Sequence, residues 1–396
     1  MTVSDRAAAI WIGVIAAAIY VGAGIGLATD YDYYGRLADA FVHGRWWLTE
    51  APPWLNELVP CGDGRFCVVY PPLPAVLSLP LVPFFTTAMA QVVASRIAGG
   101  ASAGVLYYGL RAYGAPRTYA LAGALLSAFG TTLLFSSVDG RAWYAAHSAS
   151  MFFLAGAFAV AARGGNALMI GALIGISALA RLPVAFAAPA LALLCARRAG
   201  TPYVRSLAGV VAGGLPFALV YAGYNLLRWG TLLDDGYSRL IQGDVFFSQG
   251  LFSPLYLVRQ LQAIFLEPPD LMPTTPFFLR PRFIGMSLFL TTPAFVWIFL
   301  ALREIRRDVI VAATAAAALL ALLPDLFHGT VGFQQFGYRF SIDAQPFLVA
   351  LALSGDGLFR GVWRRWPTIV FIAAIVLSVA VNIYATIAIT RFDYWQ

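Results

Sequence analysis

Two carboxylates stand directly behind the first apolar run of the chain, in Thr29-Asp30-Tyr31-Asp32-Tyr33-Tyr34-Gly35-Arg36. A carboxylate at the edge of an apolar segment is partly dehydrated, which raises its proton affinity toward that of a useful general base. The plainer role for Asp30 or Asp32 is to cap the helix that follows. Cationic chemistry is narrower, because all 26 basic residues are arginine and lysine is absent. Schiff-base chemistry, pyridoxal attachment and P-loop phosphate binding are therefore excluded. A bound phosphate would have to meet neutral donors, histidine or the planar fork of arginine, which matches phosphate oxygens. Arg339 is the first candidate, in a polar run with Gln334, Gln335, Tyr338 and Asp343; its structural alternative is an ion pair with Asp343 four residues on. Arg181, just before Pro183, comes next, followed by Arg96, Arg259, Arg280 and Arg282. His147, beside Trp143 and Tyr144, and His328, after Asp325, are placed to hydrogen-bond a sugar or phosphate, or else to serve as satisfied structural residues. No HxxxH-type ligand pair occurs, so no metal is expected to be obligatory. Cys61 and Cys67 flank a short glycine-containing loop and suit a disulfide in an oxidising compartment, whereas Cys195 reads as a buried structural thiol.

The elements that must hold these groups are membrane helices. The chain has 396 residues, 60% hydrophobic and 11% charged, whereas about a quarter of residues are charged in soluble domains. Apolar runs recur at 7–28, 92–112, 119–136, 147–162, 166–180, 183–196, 206–226, 285–302, 309–324, 344–359 and 367–388. They predict an all-α polytopic membrane protein of about 11 helices, one transmembrane domain over residues 1–396. The first run follows Arg6 and lacks a cleavage site, so it reads as a retained helix with a cytoplasmic N-terminus. Alternation then puts Arg6, Arg111, Arg117, Arg163, Arg197, Arg198, Arg205, Arg303, Arg306, Arg307, Arg360, Arg364 and Arg365 inside, against Asp5, Glu304, Asp308 and Asp356. The inner side carries a net +9 and the outer side −2, in keeping with the positive-inside rule, and the formal +7 needs no nucleic acid to explain it. Pro72 to Phe85, with four prolines, is read as a broken interfacial or re-entrant segment, not a span. Two long outer loops, 29–91 and 228–285, form the extracytoplasmic face. The first predicts an interfacial helix with Leu37, Phe41 and Leu48 on its apolar side. The second predicts one with Leu255, Val258, Leu261 and Phe265 on one side and Arg259, Gln260 and Gln262 on the other. Fifteen of the nineteen carboxylates and all three histidines fall outside, which marks that face as the functional one.

An acidic residue just after the first helix, a Tyr34-x-x-x-Ala38 helix ending in Gly44-Arg45-Trp46-Trp47, and Val69-Tyr70-Pro71-Pro72-Leu73-Pro74 resemble the start of GT-C superfamily integral membrane glycosyltransferases. The likeness is to bacterial protein mannosyltransferases and aminoarabinose transferases. It extends to Ala180-Arg181-Leu182-Pro183, Tyr224-Asn225-Leu226-Leu227-Arg228-Trp229-Gly230, Asp235-Gly236-Tyr237 and Gln335-Phe336-Gly337-Tyr338-Arg339. The resemblance implies a GT-C-like bundle in the inner (plasma) membrane. There it implies inverting transfer of a sugar from a polyprenyl-phosphate-linked donor to a lipid, glycan or protein acceptor on the extracytoplasmic side. The first-loop aspartate is then the base, Asp30 before Asp32. Where aminoarabinose transferases carry a lysine ahead of the paired prolines, this chain has Tyr70, a neutral donor. Tyr237, Tyr338, His147, His328 and Trp143 become candidates for sugar or acceptor contacts. The superfamily also allows a divalent metal, which some members use.

Two other classes fit the hydropathy. A secondary transporter or lipid flippase would carry internal repeats or charges at mid-span, and neither stands out. A noncatalytic scaffold leaves the outer concentration of Asp, Arg, Tyr and Trp unexplained.

Overall fold

The computed structural model describes residues 3–272, 279–282, 284–356 and 365–392, with side chains from residue 368 in the last stretch. Arg360 and Arg364, assigned to the inner side, lie outside the described residues, as does the side chain of Arg365. The chain is an all-α bundle. In order it runs through α1 (Val3–Ala23), α2 (Tyr33–Val42), the hairpin β1 (Leu58–Gly62) and β2 (Arg65–Val68), and α3 (Leu73–Ser78). Then follow α4 (Thr87–Tyr113), α5 (Arg117–Phe129), α6 (Leu133–Asp139), α7 (Ala142–Ala162), α8 (Ala167–Ala178), α9 (Ala188–Ala199) and α10 (Tyr203–Trp229). The rest comprises α11 (Gly236–Leu240), α12 (Leu257–Phe265), the strand pair β3 (Asp270–Leu271) and β4 (Leu279–Arg280), α13 (Leu288–Thr291), α14 (Ile298–Ala301), α15 (Val309–Leu326), α16 (Gln345–Gly355) and α17 (Arg365–Phe392).

Each of the eleven apolar runs contains helix among the described residues, but fewer make a full uninterrupted span. Among the described residues six helices are long and apolar enough to cross a membrane, or seven if α5 and α6, bent by 47° at their break, form one. The differences have local causes. The 285–302 run is split because Pro293 opens a tight 3-10 turn, Pro293–Trp297, between α13 and α14. The 166–180 run yields the 12-residue α8. Although 27 residues long, α4 buries Gln91, Ser95, Arg96 and Ser102, polar groups that face the bundle and not lipid. Pro72 to Phe85 forms only the six-residue α3 and turns, short of any span.

Helix ends are set by local chemistry. Thr86 accepts from Met89 N to start α4, five residues before the apolar run itself, and Asp308 accepts from Ile310 N and Val311 N to start α15. In the first loop, α2 ends at Val42, and Gly44 at φ +68° turns the chain away. Leu48 therefore pairs with Phe66 beside the hairpin and does not continue the α2 face. That hairpin carries Cys61 and Cys67, joined by a disulfide with Cα atoms 5.8 Å apart.

The centre of the bundle is α7, buried along most of its length between α4 and α8. Beside it α1 lies against α4 at very short range, through small residues: a Cβ added at Gly104 would stand 2.1 Å from Ala9 O, and one at Gly100 would stand 2.5 Å from Ala17 N. The outward side of α1 exposes Ile10, Trp11, Val14, Ile15 and Ile19. At the far end from the first loop, Asp5 is fully buried and bound by both Arg111 and Arg117, each at 3.2 Å. Arg198 closes the same pole by donating to Tyr113 O.

A bulky residue at Gly104 should therefore separate α1 from α4. Gly104→Leu is expected to destabilise the detergent-solubilised protein by about 1–3 kcal/mol or prevent its recovery. Gly22→Ala, at a position with open space around it, should stay within about 0.5 kcal/mol of the parent. Equal thermal midpoints for the two variants would contradict the close α1–α4 contact.

Candidate functional site

At the pole opposite Asp5 the loops enclose a cavity of about 820 Å³. Its walls come from the first loop, the start of α7, the turn before Leu182, the 230–267 region and the 325–340 run. Gln91 of α4 fixes the first loop over it: its Oε1 accepts from Tyr34 N (2.9 Å) and Gly35 N (3.2 Å), and its Nε2 donates to Tyr31 O (3.0 Å) and Gly140 O (2.8 Å). The 325–340 run is shaped by Gly332 at φ +114° and Gln334 at φ +48°, an uncommon left-handed conformation for a side-chain-bearing residue. Tyr144 donates to the Gln334 carbonyl and Arg141 to its side-chain oxygen, holding that turn in place.

One end of the cavity is cationic. Arg181 donates to Asp343 Oδ2 from Nε at 2.9 Å and to Asp325 Oδ1 from its Nη2 at 3.0 Å. Asp343 also pairs with His147 Nδ1 at 2.8 Å, and both of those side chains are fully buried. Arg339 stands beside this group without joining it. The two guanidiniums each lie 5.2 Å from the Phe340 ring centre, and Arg339 donates to Phe333 O at 3.0 Å. Only 7% of Arg339 is exposed, its Nε has no hydrogen-bond partner, and among the described residues no carboxylate pairs with it. The alternative Arg339–Asp343 pair does not form because Arg339–Ala344 is a 3-10 turn, in which residues four apart no longer stack on one face. His328 also borders this end, hydrogen-bonded to Thr330 O and ringed by Phe247, Phe252 and Phe340; that burial pushes its imidazole down to about 4.

The other end is aromatic. Tyr31 packs on Trp143 (4.9 Å), Tyr34 on Tyr70 (5.7 Å) and Tyr70 on Tyr237 (5.9 Å). The hydroxyls of Tyr34 and Tyr70 are buried and unpartnered. Glu57, also on the wall, accepts from Trp143 Nε1 at 2.8 Å. Burial pushes its carboxyl up to about 7, opposed by that hydrogen bond and by the charge of Arg339.

The sequence candidates divide accordingly. Arg339, Arg181, His328, Tyr70, Tyr237 and Trp143 line the cavity. His147 and Tyr338 lie behind it, His147 on Asp343 and Tyr338 donating to Gln260 Oε1 at 2.9 Å. Arg96 is not at a helix end but within α4, bonded to Val138 O and Leu27 O. Arg282 pairs with Glu267 and Asp270, each at 2.9 Å, outside the cavity wall. Neither Asp30 nor Asp32 is on the wall. Asp30 is exposed. Asp32 occupies the cap position of α2 but makes no capping bond; its carboxylate instead takes Arg36 Nε at 2.7 Å and Thr87 Oγ1 at 2.6 Å. The sequence reading passed over Glu57, a single glutamate between Asn56 and Leu58 with no motif around it, and named Tyr34 only as part of the Tyr34-x-x-x-Ala38 motif. Among the described residues no group of three or more His, Cys, Asp or Glu is arranged to hold a metal ion.

No known family profile matches the chain, and no curated protein does. Among solved structures it is similar to an oligosaccharyltransferase of Archaeoglobus fulgidus crystallised with Zn and sulfate, at a TM-score of 0.48 and 14% identity. The match covers 95% of this chain and 53% of that one, so the chain spans about half the length of that enzyme.

The buried charge group is the feature most sensitive to substitution. Asp343→Ala would leave Arg181 with Asp325 alone and His147 Nδ1 without its partner, and a loss of about 3–5 kcal/mol is expected. Thermal unfolding in detergent tests this, and an unchanged midpoint would show that the network does not hold the site.

Proposed function

We propose that this chain is an inverting membrane glycosyltransferase that takes its sugar from a polyprenyl-phosphate-linked donor. The observation that carries the reading is Arg339, a buried guanidinium on a cavity wall with no carboxylate of its own, next to Arg181 over one aromatic ring. A buried charge without a counter-ion is poorly stable until an anion arrives. A phosphate ester supplies that anion, and its negative charge grows as the sugar departs, which is when a fixed guanidinium helps most. The GT-C-like motifs support the same reading, since Tyr70, Arg181, Tyr237 and Arg339 of those motifs meet at one cavity.

The cavity is assigned to the extracytoplasmic side of the inner (plasma) membrane. Arg111, Arg117 and Arg198 gather at the opposite pole, as the positive-inside rule requires of a cytoplasmic end. The Cys61–Cys67 bridge lies at the cavity end, as an oxidising compartment would favour. The acceptor is a hydroxyl-bearing lipid, glycan or protein, and the base a carboxylate of the first loop.

Replacing Arg339 separates this reading from a structural one. Arg339→Gln is expected to lower sugar transfer about 10²–10³-fold. Its thermal midpoint without substrate should not fall, since an unpaired buried charge has been removed. Transfer from polyprenyl-phosphate sugars at the parent rate in a folded Arg339→Gln protein would refute the phosphate assignment.

A further inference from the structure

Of the first-loop carboxylates, Asp30, Asp32, Asp39, Glu50, Glu57 and Asp63, only Glu57 lines the cavity. Among the described residues it has no ion pair, and its carboxylate makes a single hydrogen bond, from Trp143 Nε1. A carboxylate so placed keeps an oxygen for another donor. Its backbone is fixed by Tyr33, whose hydroxyl accepts from Glu57 N at 3.1 Å, and Trp143 holds the side chain, so its position does not depend on a flexible loop tip.

The wall around Glu57 has a chemistry of its own. Tyr31, Tyr34, Tyr70, Trp143 and Tyr237 present ring faces and edges. The Tyr34 and Tyr70 hydroxyls, on residues 0% and 4% exposed, have no partner among the described residues. Buried hydroxyls are nearly always satisfied, so two orphans on one cavity wall point to a ligand that completes them. A pyranose or furanose ring fits that demand, because its C–H faces stack on aromatic rings while its hydroxyls exchange hydrogen bonds with phenols.

We propose that the aromatic end of the cavity binds a carbohydrate acceptor and that Glu57 is the general base acting on its attacking hydroxyl. This rests on the glycosyl-transfer reading above and names its acceptor class and base. The acceptor oxygen forms the new bond to the anomeric carbon while its proton passes to Glu57. The anomeric C–O bond to the donor phosphate breaks, its electron pair leaves on the polyprenyl phosphate, and Arg339 meets the added charge. Glu57 then returns its proton to water.

The titratable and charged groups facing Glu57 are the phenols of Tyr33, Tyr34 and Tyr237 and the guanidinium of Arg339. Burial makes Glu57 a stronger base than an exposed carboxylate while leaving a large ionised fraction near neutrality. The sign for the rate follows directly. The protonated form is inactive as a base, so kcat/KM should climb with pH and level off above about 7.

The full chain in lipid nanodiscs, given a panel of short-chain polyprenyl-phosphate hexoses and pentoses, provides the test. The acceptors are octyl glycosides and a Ser/Thr-containing hexapeptide. Label is expected in the octyl glycoside and not in the peptide. Glu57→Gln should lower kcat by about 10²–10⁴-fold with acceptor KM changed less than about threefold, and should abolish the pH inflection. Glu57→Asp should keep partial activity with the inflection present, which keeps the test sound if the glutamine variant folds poorly. Tyr34→Phe and Tyr70→Phe should raise acceptor KM about tenfold each, the effect of one lost hydrogen bond. The inference is overturned if a folded Glu57→Gln protein transfers within about threefold of the parent rate, if Asp30→Asn rather than Glu57→Gln is inactive, or if the peptide is the acceptor. A parent protein that releases sugar from none of the donors overturns the glycosyl-transfer reading itself, and this inference with it.

Discussion

Two carboxylates, one guanidinium and one imidazole buried together govern this fold. Arg181 lies between α8 and α9, Asp325 on α15, Asp343 on the turn before α16 and His147 on α7, so the group ties four parts of the chain at one depth. Taking these charges out of water is costly, and they are tolerable only while mutually satisfied. The geometry is therefore all-or-none: a shift of any one helix leaves a stranded charge. Such a group adds little to net stability compared with apolar packing, but it strongly disfavours other arrangements of the same helices. Phe340 and Arg339 inherit their positions from it, because the turn carrying Asp343 begins at Arg339.

Much of the fold was legible in the sequence, since apolar runs and arginine placement report the solvent directly. Each expected run contains helix among the described residues, and the Arg111 and Arg117 ends do gather at one pole, on Asp5. What hydropathy does not encode is backbone continuity. The break at Pro293 and the shortness of α8 come from local sterics and packing within an otherwise uniform apolar signal. The candidate site was legible in part. Arg339, Arg181, Tyr237, Tyr70 and Trp143, all named from the sequence, line one cavity; Arg339 stands in a polar run, and Arg181, Tyr70 and Tyr237 in the GT-C-like motifs. The alternative role for Arg339, an ion pair with Asp343, needed helical spacing where a 3-10 turn exists. Glu57 was invisible because its surroundings are assembled from residues 86 positions away at Trp143 and beyond, and a single chain carries no record of such contacts.

The two cavity ends differ in how they are finished. At the cationic end Arg181 is saturated by carboxylates while Arg339 is not; at the aromatic end the phenols of Tyr34 and Tyr70 are left open while Tyr33 is engaged with Asn56 and Glu57. In each case a satisfied neighbour holds the unsatisfied group in place. Rigid support for a few open valences is how a site is preorganised without being filled by its own protein.

On the wall helix α12, Gln260 is fully buried and bonds His328 O, Thr330 O and Tyr338, and Ala263 and Ile264 are buried with it, while Val258 and Phe265, with Leu255 just before the helix, are exposed. The wall between the cavity and the outer side of α12 is thus one helix thick. A lipid-tethered molecule on the far side of α12 explores a plane and not a volume, so its encounter rate is set by surface density and lateral diffusion. For a lipid-tethered donor such as the one proposed, surface density and not bulk concentration would then describe saturation.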